Sequence, residues 1–423
     1  MPDRGNPVGD SYVATDWIAT SPGAPRNDRS CIRFMDHSSG GAQHLWKYLV
    51  ASPSRQVREL FLSTTILDFA VSSISIFEPI YLWQKGFSIP HILLFYLAIY
   101  GVYFLLQPLG GKVTRSRGYE HGIIFSTPFL ILYYFSLFAI SYSPVFLGVA
   151  VISLAIHKTL YWPGFHADFA RFGAADHQGR ELGALVFFLS LSSISGPIFG
   201  GLLIKLFGFP VLFVVVAGCI LASNIPLLLT PERFVPRDLS YVDAYKRLLK
   251  PENRRLVLAH MGYGEEFVAL VLWPIAMYGV VGHFATLGLI VTIGALFTAI
   301  VGFFIGRLTD TGKRRTLLRL GALLTAITWP ARAAISAPAS VLTTETLYRS
   351  ARMAQGMPML AMTYDRARQY SVTKTAILLE MAVVMGKCSA AFFAFLAFSF
   401  FPEHAWTMVY FLATGYTLLY LVF

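Results

Sequence analysis

Long apolar stretches separated by short polar connections run from Leu60 to the end of the chain. Each stretch has about the 20 residues that a helix needs to cross a hydrocarbon core of about 30 Å, and the alternation typical of membrane-spanning strands is missing. The pattern predicts an all-α membrane protein with twelve transmembrane helices, at about 60–82, 90–109, 121–140, 144–166, 181–206, 209–229, 256–280, 283–305, 316–336, 339–363, 375–400 and 404–423.

The amino-acid composition excludes the disordered, fibrous and disulfide-rich classes of protein. Of the 423 residues, 55% are hydrophobic and only 13% are charged, against about 25% charged in a soluble domain. The three cysteines, Cys31, Cys219 and Cys388, lie far apart and form no CxxC pair. We therefore expect no disulfide framework, no metal site and no cofactor.

The connections between the spans differ in their content of basic residues. The basic connections are 110–120, 167–180, 230–255, 306–315 and 364–374. They hold nineteen Lys and Arg, whereas the opposite connections hold one, Lys85. Because positive residues mark the cytoplasmic side, we expect both termini in the cytoplasm of a multi-pass plasma-membrane protein. The net charge of +11 is mainly this bias, so the expected partner is the lipid bilayer and not nucleic acid.

The chain begins with a polar segment rich in Gly, Pro and Ser, without the apolar core of a signal peptide. We expect residues 1–44 to form a disordered tail. The following segment, His44–Arg58, mixes aromatic and basic residues. It is predicted to lie along the inner membrane surface, with an interruption at Pro53.

A constant offset of 195 residues aligns the first four spans with later ones. The matched residues are Pro79 with Pro274, Gly111 with Gly306, Thr114 with Thr309, His157 with Arg352, and Pro163 with Pro358. A proline inside a span is costly unless its neighbours satisfy the freed carbonyl, which argues against chance. The repeat predicts two six-helix halves, 45–229 and 256–423, joined by a cytoplasmic linker at 230–255.

Three local motifs accompany the repeat. The connection after the second span reads Gly-Lys-Val-Thr-Arg-Ser-Arg-Gly over 111–118, and its counterpart reads Gly-Arg-Leu-Thr-Asp-Thr-Gly-Lys-Arg-Arg over 306–315. The tenth span contains Arg352-Met-Ala-Gln-Gly. Small side chains and a proline, which allow close helix packing and bending, recur on the fifth span at Gly183, Ser192, Gly196, Pro197, Gly200 and Gly201.

Twelve spans in two halves with these motifs resemble the major facilitator superfamily. That family has a G-x-L-A-D-R-x-G-R-K loop, a fifth-span motif G-x8-G-x3-G-P-x2-G-G that is associated with drug–proton exchange, and RxxQG in the fourth span. Here Arg115 replaces the loop acid, Ser192 replaces one glycine, and RxxQG lies in the tenth span. It stays open whether the fifth-span motif serves exchange or only packing.

The resemblance implies two bundles that give alternating access to a central cavity lined by helices one, four, seven and ten. It also implies gating by the loop residues Gly111, Arg115, Gly306, Asp310 and Arg314.

Ionisable residues inside a bilayer cost about 2.5–3.5 kcal/mol each, so their positions are informative. They concentrate on spans one, four, seven, ten and eleven, at Asp68, Glu78, His157, Lys158, Glu265, Glu266, Glu345, Arg349, Arg352, Glu380 and Lys387. Several lie at helical spacing on one face with Ser, Trp or Tyr. This pattern predicts a water-accessible cavity. Arg332 is out of pattern, and we expect it to snorkel outward.

The candidate proton carriers are Asp68 and one of Glu265 and Glu266, because adjacent residues point about 100° apart on a helix and only one can face the cavity squarely. The candidate substrate contacts are Lys158, Trp162, Arg352, Glu380 and Lys387.

Other roles remain open for several of these residues. Glu345 and Arg349 are expected to form an intrahelical pair rather than a substrate site. Lys387 is either a counter-ion for Glu380 or an anion ligand. The remaining alternatives are a packing role for His157, a solvated position at the outer mouth for Glu78, and a cytoplasmic gate for Asp168 and Arg171.

These observations predict a secondary active transporter of a small solute, with proton coupling and a slight preference for export. The sequence contains no phosphate-binding loop and no HExxH or GxSxG motif, so we expect neither ATP-driven transport nor an enzyme. The alternative function is a non-transporting scaffold or sensor with the same fold.

Overall fold

A computed structural model describes residues 55–172, 178–229, 240–310, 313–369 and 372–423 of the chain. All regular secondary structure in these ranges is helical. The predicted tail over 1–44 lies outside the described residues, as does most of the predicted surface segment over 44–58. Residues Ala51–Phe423 belong to one compact unit.

The helices before the linker over 230–255 follow one another with short connections. They are α1 (Arg55–Ile74), α2 (Glu78–Gln84), α3 (Ile89–Arg117), α4 (Tyr119–Ala139), α5 (Val145–Phe172), α6 (Gln178–Phe207) and α7 (Phe209–Leu227). Gly118 and Gly208, which begin α4 and α7, have φ values of 112° and 82°. These are positive φ values that favour glycine, and they let the chain reverse within a single residue.

The series of helices continues with α8 (Tyr241–Leu249), which lies within the linker. It is followed by α9 (Arg254–Met261), α10 (Gly264–Phe267), α11 (Trp273–Val281), α12 (Phe284–Asp310), α13 (Arg314–Ala331), α14 (Pro338–Gln369), α15 (Val372–Phe400) and α16 (Ala405–Leu419). A π-helical segment, Val268–Leu272, connects α10 to α11. The predicted seventh span is therefore irregular near its middle.

Ten helical segments within the described ranges are long and apolar enough to cross a membrane. Their bounds are Glu59–Gln84, Ile89–Arg117, Tyr119–Ala139, Val145–His166, Ser190–Phe207, Phe209–Leu227, Pro251–Val281, Phe284–Gly306, Lys374–Phe400 and Ala405–Val422. They coincide with ten of the twelve predicted spans. The ninth and tenth predicted spans form α13 and α14, whose charged residues lower their hydropathy.

The helices pack in a pattern that joins distant parts of the sequence. Before the linker, α1 packs against α6 and α7, and α5 packs against α3 and α4. After the linker, α14 packs against α12 and α13, and α13 also contacts α16. Two extensive contacts, α6 with α12 and α3 with α15, connect helices on either side of the linker. They bring the ionisable residues of both parts together.

Candidate functional site

Arg352 joins the two adjacent glutamates. Its Nε atom donates to Oε1 of Glu265 over 2.8 Å, and its Nη2 atom donates to Oε1 of Glu266 over 2.7 Å. The hydroxyl of Tyr348 donates to Glu265 over 2.7 Å, and Nζ of Lys387 lies 2.6 Å from Glu266. We call these five residues the central ion cluster. Two acids balance two bases there, and Glu265 is 0% exposed.

Glycines at the α10–α15 contact explain why this cluster can form. A Cβ atom on Gly386 would clash with the main chain of Met261, and one on Gly264 would lie 2.8 Å from the carbonyl oxygen of Gly386. The backbones approach closely only because both side chains are absent. Lys387 follows Gly386 directly and is thereby placed beside Glu266.

One guanidinium group binds both glutamates, because the fork of Arg352 spans the angle between the two carboxylates. Which of the two faces the cavity stays a prediction. The alternative that Lys387 is the counter-ion of Glu380 needs correction, because Lys387 pairs with Glu266.

Glu380 instead connects α15 to helices of the first half of the chain. Tyr103 of α3 donates its hydroxyl to Oε2 of Glu380 over 2.7 Å, and Nε2 of His166 on α5 lies 2.8 Å from Oε1. We call these three residues the Glu380 junction. Glu380 is buried, so both of its oxygens depend on these partners. Trp162 stacks on the ring of His166, with the ring centroids 5.4 Å apart.

Two lysines lie close to the ring of Tyr100. The Nζ atoms of Lys158 and Lys387 are 5.7 and 5.6 Å from its centroid. Both distances fall within the range of a cation–π interaction. Lys387 has a carboxylate partner in Glu266, whereas the charge of Lys158 acts on Glu78 from beyond ion-pair contact.

The two acids of the first predicted span have different surroundings. Asp68 is half-buried and accepts a hydrogen bond of 3.3 Å from Ser193. Glu78 accepts hydrogen bonds from three tyrosine hydroxyls, over 2.8 Å from Tyr133, 3.0 Å from Tyr134 and 3.5 Å from Tyr96. The expectation that Glu78 is merely solvated is therefore wrong.

Arg332 does not snorkel outward, contrary to expectation. Its side chain is 0% exposed, and its guanidinium carbon lies 4.0–4.1 Å from the ring centroids of Trp273, Trp329 and Tyr348. Oε2 of Glu345 lies 3.5 Å from its Nη2 atom. The aromatic rings and the carboxylate together make burial of this cation tolerable.

Glu345 has further partners besides Arg332. Arg349 binds it through an i,i+4 pair of 2.5 Å, the expected intrahelical pair, and Trp273 donates to it over 2.7 Å. His157 is also buried, with Nδ1 3.1 Å from the carbonyl oxygen of Ser126 and its ring stacked on Tyr161. These contacts are those of packed residues.

The small residues of the fifth span face two neighbouring helices. Ser72 of α1 donates to the carbonyl of Ser192 over 3.1 Å. A Cβ atom on Gly196 or Gly200 would clash with α1, and one on Gly201 would lie 2.5 Å from the carbonyl oxygen of Phe284 on α12. A Cβ atom on Gly288 of α12 would in turn clash with the carbonyl group of Pro197. The surroundings of Gly183 lie outside the described residues.

The loop-motif residues are only partly described. Gly111 is buried in α3, Arg115 is half-buried, and a Cβ atom on Gly306 would meet open space. Arg314 pairs with Asp365 over 2.5 Å and also donates to the carbonyl of Thr309. The side chains of Asp310, Asp168 and Arg171 lie outside the described residues.

Sequence reasoning missed several residues of the site, namely Tyr100, Tyr103, His166, Trp273 and Tyr348. Helical spacing could have found two of them, because His166 follows Trp162 by four residues and Tyr348 precedes Arg352 by four. Tyr100 and Tyr103 lie on α3, which has no charged residue in its predicted span, and Trp273 contacts Glu345 from a different helix. No single-helix pattern identifies them.

Within the described ranges, no three His, Cys, Asp or Glu residues are arranged to hold a metal ion. No protein-family model matches the chain, and no curated protein is significantly similar to it.

Proposed function

We propose that this chain is a secondary active transporter of a small solute that works by alternating access, with protons as the driving ion and a slight preference for export. Two six-helix bundles, built from twelve spans, would rock about a site between them. The observation that carries the proposal is the central ion cluster, in which four charged side chains are held together among helices that are mainly apolar. Such groups are costly in a bilayer and mark solute or proton pathways.

The cluster offers a route by which protonation changes structure. A proton on Glu266 would remove the negative charge that holds Lys387, while Arg352 would keep its bond to Glu265. Lys387 extends from α15 and Glu266 from the seventh span, so this exchange would loosen the contact between those two helices. A change in the protonation of one carboxylate thus becomes a change in helix packing.

Asp68 is the stronger candidate for the proton carrier. Its hydrogen-bond partner is a neutral hydroxyl, Ser193, and no ion pair to it is found among the described side chains. Gain or loss of its proton therefore breaks no salt bridge. Its half-buried position on α1, which packs against α6, would link its charge state to the α1–α6 contact.

The test uses the purified chain in sealed vesicles that contain a panel of metabolites and drugs. An imposed pH step should drive proton and solute flux in the wild type, and Asp68→Asn should abolish it. Asp243→Asn alters an exposed acid of α8 and serves as the control, with unchanged flux. Equal flux in the Asp68→Asn and wild-type vesicles would remove Asp68 from the mechanism.

The alternative is a non-transporting scaffold or sensor with the same fold. Arg115 favours it, because this residue replaces the acid of the loop motif. A wild-type protein that is folded and inserted, yet moves neither protons nor any solute of the panel, would support this alternative.

A further inference from the structure

Lys158 is a cation without an ionic partner inside the helical bundle. The part of the chain that the structure describes brings no carboxylate within 4.0 Å of its Nζ atom. Its contact is the face of the Tyr100 ring, at 5.7 Å. An ammonium group has three N–H donors, and donors that no carboxylate occupies can bind an oxyanion.

The acid on which the charge of Lys158 acts does not fill this role. Glu78 attracts Lys158 through its charge, but its two oxygens already accept hydrogen bonds from Tyr96, Tyr133 and Tyr134. These three hydroxyls fix the position of the carboxylate. Lys387 adds a second positive group on the Tyr100 ring, at 5.6 Å. The donors of Lys158 therefore remain available for a ligand.

The helix of Lys158 also provides an aromatic wall. Tyr161, Trp162 and Phe165 follow it at i+3, i+4 and i+7, and all three are half-buried. Tyr161 and Phe165 stack at 5.7 Å with their planes 15° apart. Because Tyr161 is stacked between His157 and Phe165, it presents its ring edge, and a planar aromatic ligand can meet such an edge in an edge-to-face contact.

We propose that Lys158, Tyr100 and this aromatic wall form a binding site for an organic anion with a planar apolar body, the anion held by the Lys158 ammonium. This inference names the substrate class of the proposed transporter, and in that respect it rests on the proposed function. Binding itself does not require transport, so the two can fail separately.

Benzoate is the test probe, and benzamide is its neutral counterpart of nearly the same shape. Binding of radiolabelled benzoate to the purified full-length chain is measured by equilibrium dialysis, with benzamide as competitor. The wild type should bind benzoate, and benzamide should compete poorly. Lys158→Met should weaken benzoate binding at least about tenfold, because a charge-assisted hydrogen bond is lost.

Two variants separate charge from folding. Lys158→Arg keeps the positive charge and should retain most of the binding, and Lys205→Met, at an exposed lysine of α6, should bind as the wild type. The site assignment is overturned if benzoate does not bind, if benzamide competes equally, or if Lys158→Met binds normally. Benzoate binding without flux in vesicles would refute the transporter and leave the site intact. Flux of neutral solutes without benzoate binding would refute the anion site and support the transporter.

Discussion

At the residue scale, the buried charges of this protein depend on particular partners. Arg332 is stabilised by three aromatic rings and by Glu345. Glu345 in turn binds Arg349 and Trp273. A buried ion pair adds little stability by itself, but the removal of one partner leaves an uncompensated charge. The carboxylate of Glu345 is therefore the critical group, because two arginines depend on it.

Replacement of Glu345 by leucine should lower the free energy of unfolding by about 3–5 kcal/mol, since Arg332 would remain buried without its counter-ion. The measurement is thermal unfolding of the purified protein in detergent. Arg349→Leu is the control, because Arg349 is 33% exposed and Glu345 would keep its other partners. Losses of equal size in the two variants would show that Arg332 does not need the carboxylate.

At the scale of elements, the linker helix α8 is attached to α3 just before its internal proline, Pro108. Pro108 has no N–H group, so the carbonyl of Phe104, four residues earlier, loses its helical donor. Tyr245 donates its hydroxyl to this carbonyl over 3.0 Å, and Tyr241 donates to the next carbonyl, that of Leu105, over 2.7 Å. The linker thus satisfies the carbonyl that the proline leaves free and also binds the next carbonyl.

The other face of α8 packs on α15. Ala244 and Leu248 are buried in a cluster with Ile377, Leu378 and Met381. The linker helix therefore contacts α3 and α15 at once, and these two helices come from different halves of the sequence repeat.

Tyr245→Phe should lower the free energy of unfolding by about 1 kcal/mol at neutral pH, because a carbonyl loses its donor. Burial, and then the hydrogen bond with Tyr241, raises the pKa of Tyr245 above its ordinary value of 10.0. The folded chain therefore holds this proton more tightly than the unfolded chain. Its contribution is complete below about pH 10 and is lost as the pH rises further.

The measurement for Tyr245→Phe is thermal unfolding as a function of pH, and its difference from the wild type should shrink above about pH 10. Tyr142→Phe is the control, because Tyr142 is 77% exposed and its loss should change nothing. A difference between Tyr245→Phe and the wild type that stays constant up to high pH would contradict the hydroxyl's role.

At the scale of the whole molecule, the Glu380 junction is a hydrogen-bonded connection between α15 and the helices α3 and α5. These helices come from the two halves of the sequence repeat, so the rocking that we propose would strain or break this junction. Its strength should therefore set how often the contact between α3 and α15 opens.

Glu380→Leu should raise amide hydrogen exchange in α3 and α15 by about tenfold or more, because hydrogen bonds to a charged group are lost. The measurement is exchange followed by mass spectrometry on the inserted protein. Glu403→Leu changes an exposed acid beyond the end of α15 and should leave exchange as in the wild type. Unaltered exchange in Glu380→Leu would show that apolar packing alone holds α3 to α15.

The sequence by itself determined the helical class, ten apolar helices that coincide with predicted spans, and the positions of the costly ionic residues. Those features depend on local hydropathy and on helical spacing, which a single stretch of chain carries. The intrahelical pair of Glu345 and Arg349 could be predicted for the same reason, because its members are one turn apart.

Only the tertiary structure decided which charges meet. Arg352 with both glutamates, Lys387 with Glu266, and Glu380 with Tyr103 and His166 are contacts between separate helices. They depend on how closely backbones approach, as at Gly264 and Gly386, and on the angle at which helices cross. The burial of Arg332 has the same origin, since aromatic rings from three helices had to converge before a cation could lie between them.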